Sequence, residues 1–92
     1  MNGAPMQRSV IVANPHGLHM RPSAAFVELA GRFQAEVAVT YNGNTVNGKS
    51  IWDLLTLAAE VGSELTLEAN GPDAPAALDA LSVLVSTPPA EN

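Results

Sequence analysis

Residues 35–41 alternate without a fault, with Ala35, Val37, Val39 and Tyr41 on one side and Glu36, Ala38 and Thr40 on the other. A period of two marks a strand with one buried face. Residues 64–69 repeat the pattern, with Leu65, Leu67 and Ala69 inward and Glu64, Thr66 and Glu68 outward. A further strand is predicted over 6–13, where Val10 and Val12 face the core and Ser9 and Ile11 turn away. Asn42-Gly43 directly after the 35–41 strand signals a hairpin, so 44–48 is expected to return as a short polar edge strand. Helical spacing appears three times. Over 20–33, Pro22, Phe26, Leu29, Ala30 and Phe33 share one face, and the helix is expected to end near Gly31-Arg32-Phe33. A short helix opening at Ser50-Ile51-Trp52-Asp53 is expected to bury Ile51, Leu54, Leu55 and Ala58. Its start approximates a capping box, with Asp53 where Glu or Gln is usual. After the Asn70-Gly71-Pro72 turn, Asp73 is expected to cap a last helix with Pro75 in its first turn and a stripe of Ala77, Leu78, Leu81, Leu84 and Val85.

The order is β-α-β-β-α-β-α. It predicts an α+β fold in which three helices cover one face of a four-stranded antiparallel sheet, an open-faced two-layer sandwich. Ninety-two residues make a single domain, 1–92, with an ordered core of about 6–85, a loose lead-in over 1–5 and a flexible tail over 86–92.

Charge and composition narrow the function. The chain holds four basic and nine acidic residues, a net charge of -5, so no basic patch for nucleic acid can be assembled. There is no cysteine, and hence no disulfide framework, thiolate metal site or thiol nucleophile. No apolar run approaches the ~20 residues of a membrane span and no signal peptide is visible. A cytoplasmic monomer that does not insert into membranes is expected.

The chemistry concentrates at the start of the first helix. His19 falls near its N-cap, and Arg21 and Pro22 lie in the first turn. Free N–H donors and the positive end of the helix dipole make that end a place for an anion. Pro22 loses no backbone bond there. A titratable imidazole at an anion site, beside a guanidinium whose fork matches phosphate oxygens, suits a phosphoryl group carried on the histidine. The plain alternative is a solvated cap. His16, three residues earlier, either bonds such a phosphate or is a solvated loop residue.

The segment Gly17-Leu18-His19-Met20-Arg21-Pro22 resembles the active-site motif of the HPr family, the histidine-containing phosphocarriers of the bacterial sugar phosphotransferase system. Asn47-Gly48-Lys49-Ser50-Ile51 resembles the segment around that family's regulatory serine, and the resemblance runs from about residue 6 to 85. It implies a stoichiometric carrier and not an enzyme, with no cofactor and no metal. His19 would take a phosphoryl group from a phosphoenolpyruvate-dependent enzyme I and pass it to sugar-specific acceptor domains. By the resemblance the reactive atom is Nδ1, the backbone N–H groups of Met20 and Arg21 receive the phosphate oxygens, and Arg21 clamps them. Ser50 becomes a candidate target of an HPr kinase/phosphorylase, with the competing role of a simple N-cap. Asp53 would repel a phosphate at Ser50, and Lys49 would pair with either group. Met20, Ile51, Trp52, Glu28 and Asp53 are expected to meet partners. Glu28 and Asp53 stand where the family commonly has lysine, as does Gly31, so the docking rim departs from the pattern. A regulatory adaptor, whose state on His19 and Ser50 controls a kinase or transcription regulator, is the alternative to transport.

Overall fold

The structure, a computed structural model, describes residues 6–89. In chain order it contains β1 (Met6–Ile11), α1 (Met20–Ala30), β2 (Glu36–Tyr41), β3 (Asn44–Asn47), α2 (Ile51–Leu57), β4 (Glu64–Asn70) and α3 (Ala74–Ser86). The strands form one antiparallel sheet in the order β1-β4-β2-β3. The predicted α+β class and element order hold. Residues 1–5 of the expected lead-in and 90–92 of the expected tail lie outside the described residues, and α3 runs one residue into the stretch expected as tail.

Register follows from the period of two. Val10 lies opposite Leu65, Val39 opposite Leu67 and Val37 opposite Ala69, and all six are buried. A one-residue slip would turn every one of them to water. Phe26, Leu54, Leu78 and Leu81 pack onto this face from the three helices. The opposite face carries a polar row across all four strands, Ser9, Thr66, Thr40 and Thr45, with the Thr40 and Thr45 hydroxyls 2.7 Å apart. Arg8, from the core side of β1, reaches Asp79 of α3 at 2.6 Å. Both ends of that pair are well exposed, so it ties helix to strand at under about 1 kcal/mol.

The differences from expectation sit at element ends. α1 stops at Ala30, and Phe33 lies beyond it, half-buried in the following turn. The N–H groups of Arg32 and Phe33 bond to the Leu29 and Ala30 carbonyls at 3.0 and 3.1 Å, the tighter bonding that closes a helix. In α2 the buried residues are Leu54 and Leu57, while Ile51 and Leu55 are half-buried. Ala58 is exposed because it takes a left-handed conformation, φ 52°, and that exit carries Ala59 inside instead. Leu84 lies at the margin of the α3 stripe and is 36% exposed.

Asp73 does not cap α3 with its side chain. Its two carboxylate oxygens instead accept the Gln34 and Ala35 N–H groups, each at 2.8 Å, just before β2. The Gln34 N–H is the main cause that holds the Asp73 carboxyl below the usual carboxylate range; partial burial works against it, and the Ala35 N–H and the Lys49 charge add to it. A lowered folded value stabilises the fold at pH above the ordinary aspartate range, about 3.9, and that stabilisation is lost as pH falls through the lowered value. Asp73→Asn is expected to be less stable than the native chain near neutrality and to converge with it in acid. Urea midpoints between about pH 6 and pH 2.5 check this, and parallel curves for the two proteins would contradict it.

Candidate functional site

The loop before α1 is a locked turn. The Asn14 side-chain oxygen accepts the His16 N–H at 2.8 Å, and the Asn14 carbonyl accepts the Gly17 N–H at 2.9 Å. Gly17 has φ +67°, and a Cβ there would lie 2.3 Å from the Ala59 carbonyl oxygen. Only glycine fits such an approach at such an angle. The next residue, Leu18, is buried, and its N–H bonds the same Ala59 carbonyl at 3.0 Å. Buried Ser23 donates its hydroxyl to the Leu18 carbonyl at 3.2 Å. The loop is thus pinned on both sides of the position where the chain turns outward.

His19 follows as the N-cap of α1, exposed, with extended backbone and no side-chain bond to the helix. Its carbonyl accepts the Ser23 N–H at 2.9 Å, the first bond of the helix. The N–H groups of Met20 and Arg21 belong to the first turn and have no intrahelical acceptor, and Pro22 brings none. The first turn holds no acidic residue, so nothing in it offsets the positive end of the dipole.

Two hollows flank His19. One, of about 360 Å³, is lined by Asn14, His16, His19, Arg21, Pro22 and Pro89. The His16 and His19 ring centres are 6.0 Å apart there, tilted at 59°. The other, also about 360 Å³, joins Leu18, His19 and Met20 to Leu55, Ala58 and Glu60 at the far end of α2. The predicted pair His19 and Arg21 therefore share one hollow, and Met20 lines the other.

The remaining predicted residues are spread more widely. Trp52 is 70% exposed and Ile51 half-buried at the start of α2, whereas the His19 hollow takes in the end of that helix. Ser50 is half-buried and its hydroxyl accepts the Asp53 N–H at 3.3 Å, an N-cap bond. The Asp53 carboxylate accepts the Asn47 N–H at 3.2 Å, so the capping box closes onto the preceding strand and not onto Ser50. Lys49 donates to the Phe33 carbonyl at 2.7 Å; it stitches α2 to the end of α1 and pairs with neither Ser50 nor Asp53. Glu28 lies on the exposed side of α1 with Arg32 3.8 Å away. Leu55, Glu60 and Pro89 border His19 and were not foreseen. Nothing local marks them, since tertiary folding alone brings them there. Among the described residues no three His, Cys, Asp or Glu are grouped to hold a metal ion, and no helix is long and apolar enough to cross a membrane.

Comparison with known proteins shows what the chain is similar to. A family model described as the PTS HPr component phosphorylation site matches residues 6–87. The chain is 44% identical over 81 residues to the phosphocarrier protein HPr of Cupriavidus necator, covering 88% of this chain and 91% of that one. It is similar to the crystal structure of HPr from Bacillus anthracis, with a TM-score of 0.87 and 42% identity, over 90% of this chain and 99% of that one. It is also similar to Bacillus subtilis Crh, whose crystal structure is a domain-swapped dimer, with a TM-score of 0.74, 40% identity and coverage of 94% and 99%.

Proposed function

Because the chain belongs to the HPr family of phosphocarrier proteins, we propose that His19 accepts a phosphoryl group from a phosphoenolpyruvate-dependent enzyme I and passes it to sugar-specific components of the phosphotransferase system. The observation that carries the proposal is an exposed imidazole, free of any capping bond, at the uncompensated N-terminus of an 11-residue helix with Arg21 in the same hollow. A lone pair on a neutral ring nitrogen forms the new N–P bond while the bond between phosphorus and the donor breaks. The first-turn N–H groups of Met20 and Arg21 receive phosphate oxygens, and the helix field offsets a charge of about -2 at neutral pH. The group is held and handed on, so the chain is a stoichiometric relay and not an enzyme.

Exposed Met20 in α1 and, at the start of α2, exposed Trp52 and half-buried Ile51 supply the apolar residues that meet enzyme I and the acceptors. On this reading the carrier works as a monomer in the cytoplasm, alongside its donor. Incubation with enzyme I and phosphoenolpyruvate, followed by intact mass measurement, tests the proposal. One added phosphate, lost in acid, is expected; an unmodified chain with an active enzyme I would reject it.

Arg21→Ala separates the clamp from the fold. An exposed arginine with no carboxylate partner among the described residues contributes under about 1 kcal/mol to stability. A preorganised charge on the transferring group supplies roughly 2–4 kcal/mol, about 30- to 1,000-fold in rate. Rapid-quench transfer rates are expected to fall within that range while the urea midpoint scarcely moves. Equal rates for mutant and native chain would remove the clamp role.

A further inference from the structure

We propose that His16 is a proton-carrying positioning residue for the phosphorylated site: once the phosphoryl group is on His19, the His16 imidazole takes a proton from solvent and donates a charged hydrogen bond to the phosphate. This rests on His19 as the acceptor. The two rings line a common hollow, 6.0 Å between centres and tilted at 59°, so they are unstacked and the edge of His16 lies within hydrogen-bonding reach of an oxygen of a phosphoryl group held on His19. His16 is held there by its own backbone, whose N–H is tied to the Asn14 side chain at 2.8 Å. That bond also engages the side-chain oxygen of Asn14, which is itself a lining residue. Pro22 and Pro89 line it too and bring no N–H donor. The side-chain donors left to a phosphate are the Asn14 amide, Arg21 and His16, and of these three kinds of group only an imidazole can gain and lose a proton in the neutral range.

Charge decides the direction. The ionisable groups lining the hollows beside His19 are His16 and Arg21 on one side and Glu60 on the other. Before transfer, the hollow of His16 has a permanent positive charge on Arg21 and no carboxylate among its described lining residues. Transfer places about two negative charges beside His16, and an anion so close favours the imidazolium. Phosphorylation is then coupled to proton uptake by His16, at most about half a proton per chain for a tenfold tightening, with no bond between His16 and phosphorus. The His16 contribution alone favours the loaded carrier as pH falls through the neutral range, and discharge releases the proton that His16 took up.

The test uses the full chain, loaded by enzyme I and, separately, by potassium phosphoramidate, which phosphorylates histidine without a protein partner. The His16 ring signals are followed by NMR from pH 5.5 to 9 in free and loaded protein. His16 is expected to hold its proton about tenfold more tightly in the loaded form, a rise of about one pH unit in its midpoint. An unchanged midpoint, or a phosphate found on His16 in place of His19, overturns the proposal. His16→Asn keeps a donor without the titration. With it, the loaded fraction at equilibrium with phosphoenolpyruvate is expected to lose the extra pH dependence of the native chain while labelling continues; if the native slope persists, proton uptake lies elsewhere. Failure of enzyme I alone, with the midpoint shift present after phosphoramidate, would count against the proposed function and leave the His16 coupling standing.

Discussion

His19→Ala is expected to abolish phosphoenolpyruvate-dependent phosphorylation and leave the fold almost untouched. The first half follows from chemistry. Alanine has no lone pair to form an N–P bond, and no thiol exists anywhere in the chain to substitute for the ring. The second half follows from the structure. The His19 side chain is exposed and makes no cap bond, and the bonds at this position belong to its backbone: its carbonyl accepts from Ser23, and its neighbour Leu18 is the buried anchor. A surface substitution of this kind changes stability by no more than about 0.5 kcal/mol. Intact mass after incubation with enzyme I is therefore expected to show no added phosphate, at an unchanged urea midpoint. Full labelling of the mutant would show that His16 or another group is the true acceptor, and a large fall in stability would mean that the imidazole also holds the loop.

What could be read from the chain was what local order controls. The alternation of residues 35–41 and 64–69 is unambiguous because one sheet face is buried and the other is wet. The placing of His19 at a helix start was legible because Pro22 and the apolar spacing after it define that start within a few residues. Helix ends were harder. Phe33 fits the apolar face of α1 by spacing, yet the helix closes at Ala30, and Ala58 fits α2 by spacing, yet it turns left-handed to let Ala59 pack. Propensity gives little warning of either, because tertiary context overrides it. Asp73 shows the same limit in a polar residue. Its type and place suited a cap, but two N–H groups ahead of β2 lacked acceptors and took its carboxylate. The surroundings of His19 were the least legible of all. Glu60 and Pro89 approach it from distant parts of the chain, and neither carries a local sign of the role.

Gly17→Ala is expected to cost more stability than any other single change near the site. Two terms add. A side chain at φ +67° is strained by about 1–2 kcal/mol in itself. The new Cβ would also lie 2.3 Å from the Ala59 carbonyl oxygen and 2.9 Å from the Glu60 Cα, both backbone atoms that cannot swing aside as a side-chain tip can. Relief requires the two loops to part. That gives up the Leu18 N–H bond to Ala59, 3.0 Å in the native loop, and unseats a buried leucine. Together these amount to roughly 3–5 kcal/mol, a large fraction of the 5–15 kcal/mol typical of a domain. Gly43→Ala is the control. Its φ of +84° carries the same kind of conformational strain, but nothing lies within 4 Å of the added Cβ, so about 1–2 kcal/mol is expected. The difference between the two urea midpoints isolates the contact with Ala59. Because the same loop presents His19 two residues later, Gly17→Ala is also expected to slow phosphorylation under conditions where it remains folded, whereas Gly43→Ala, at the β2–β3 hairpin, is not. Equal losses of stability for the two alanines would show that the Ala59 loop yields freely, and that His19 is positioned by its helix alone.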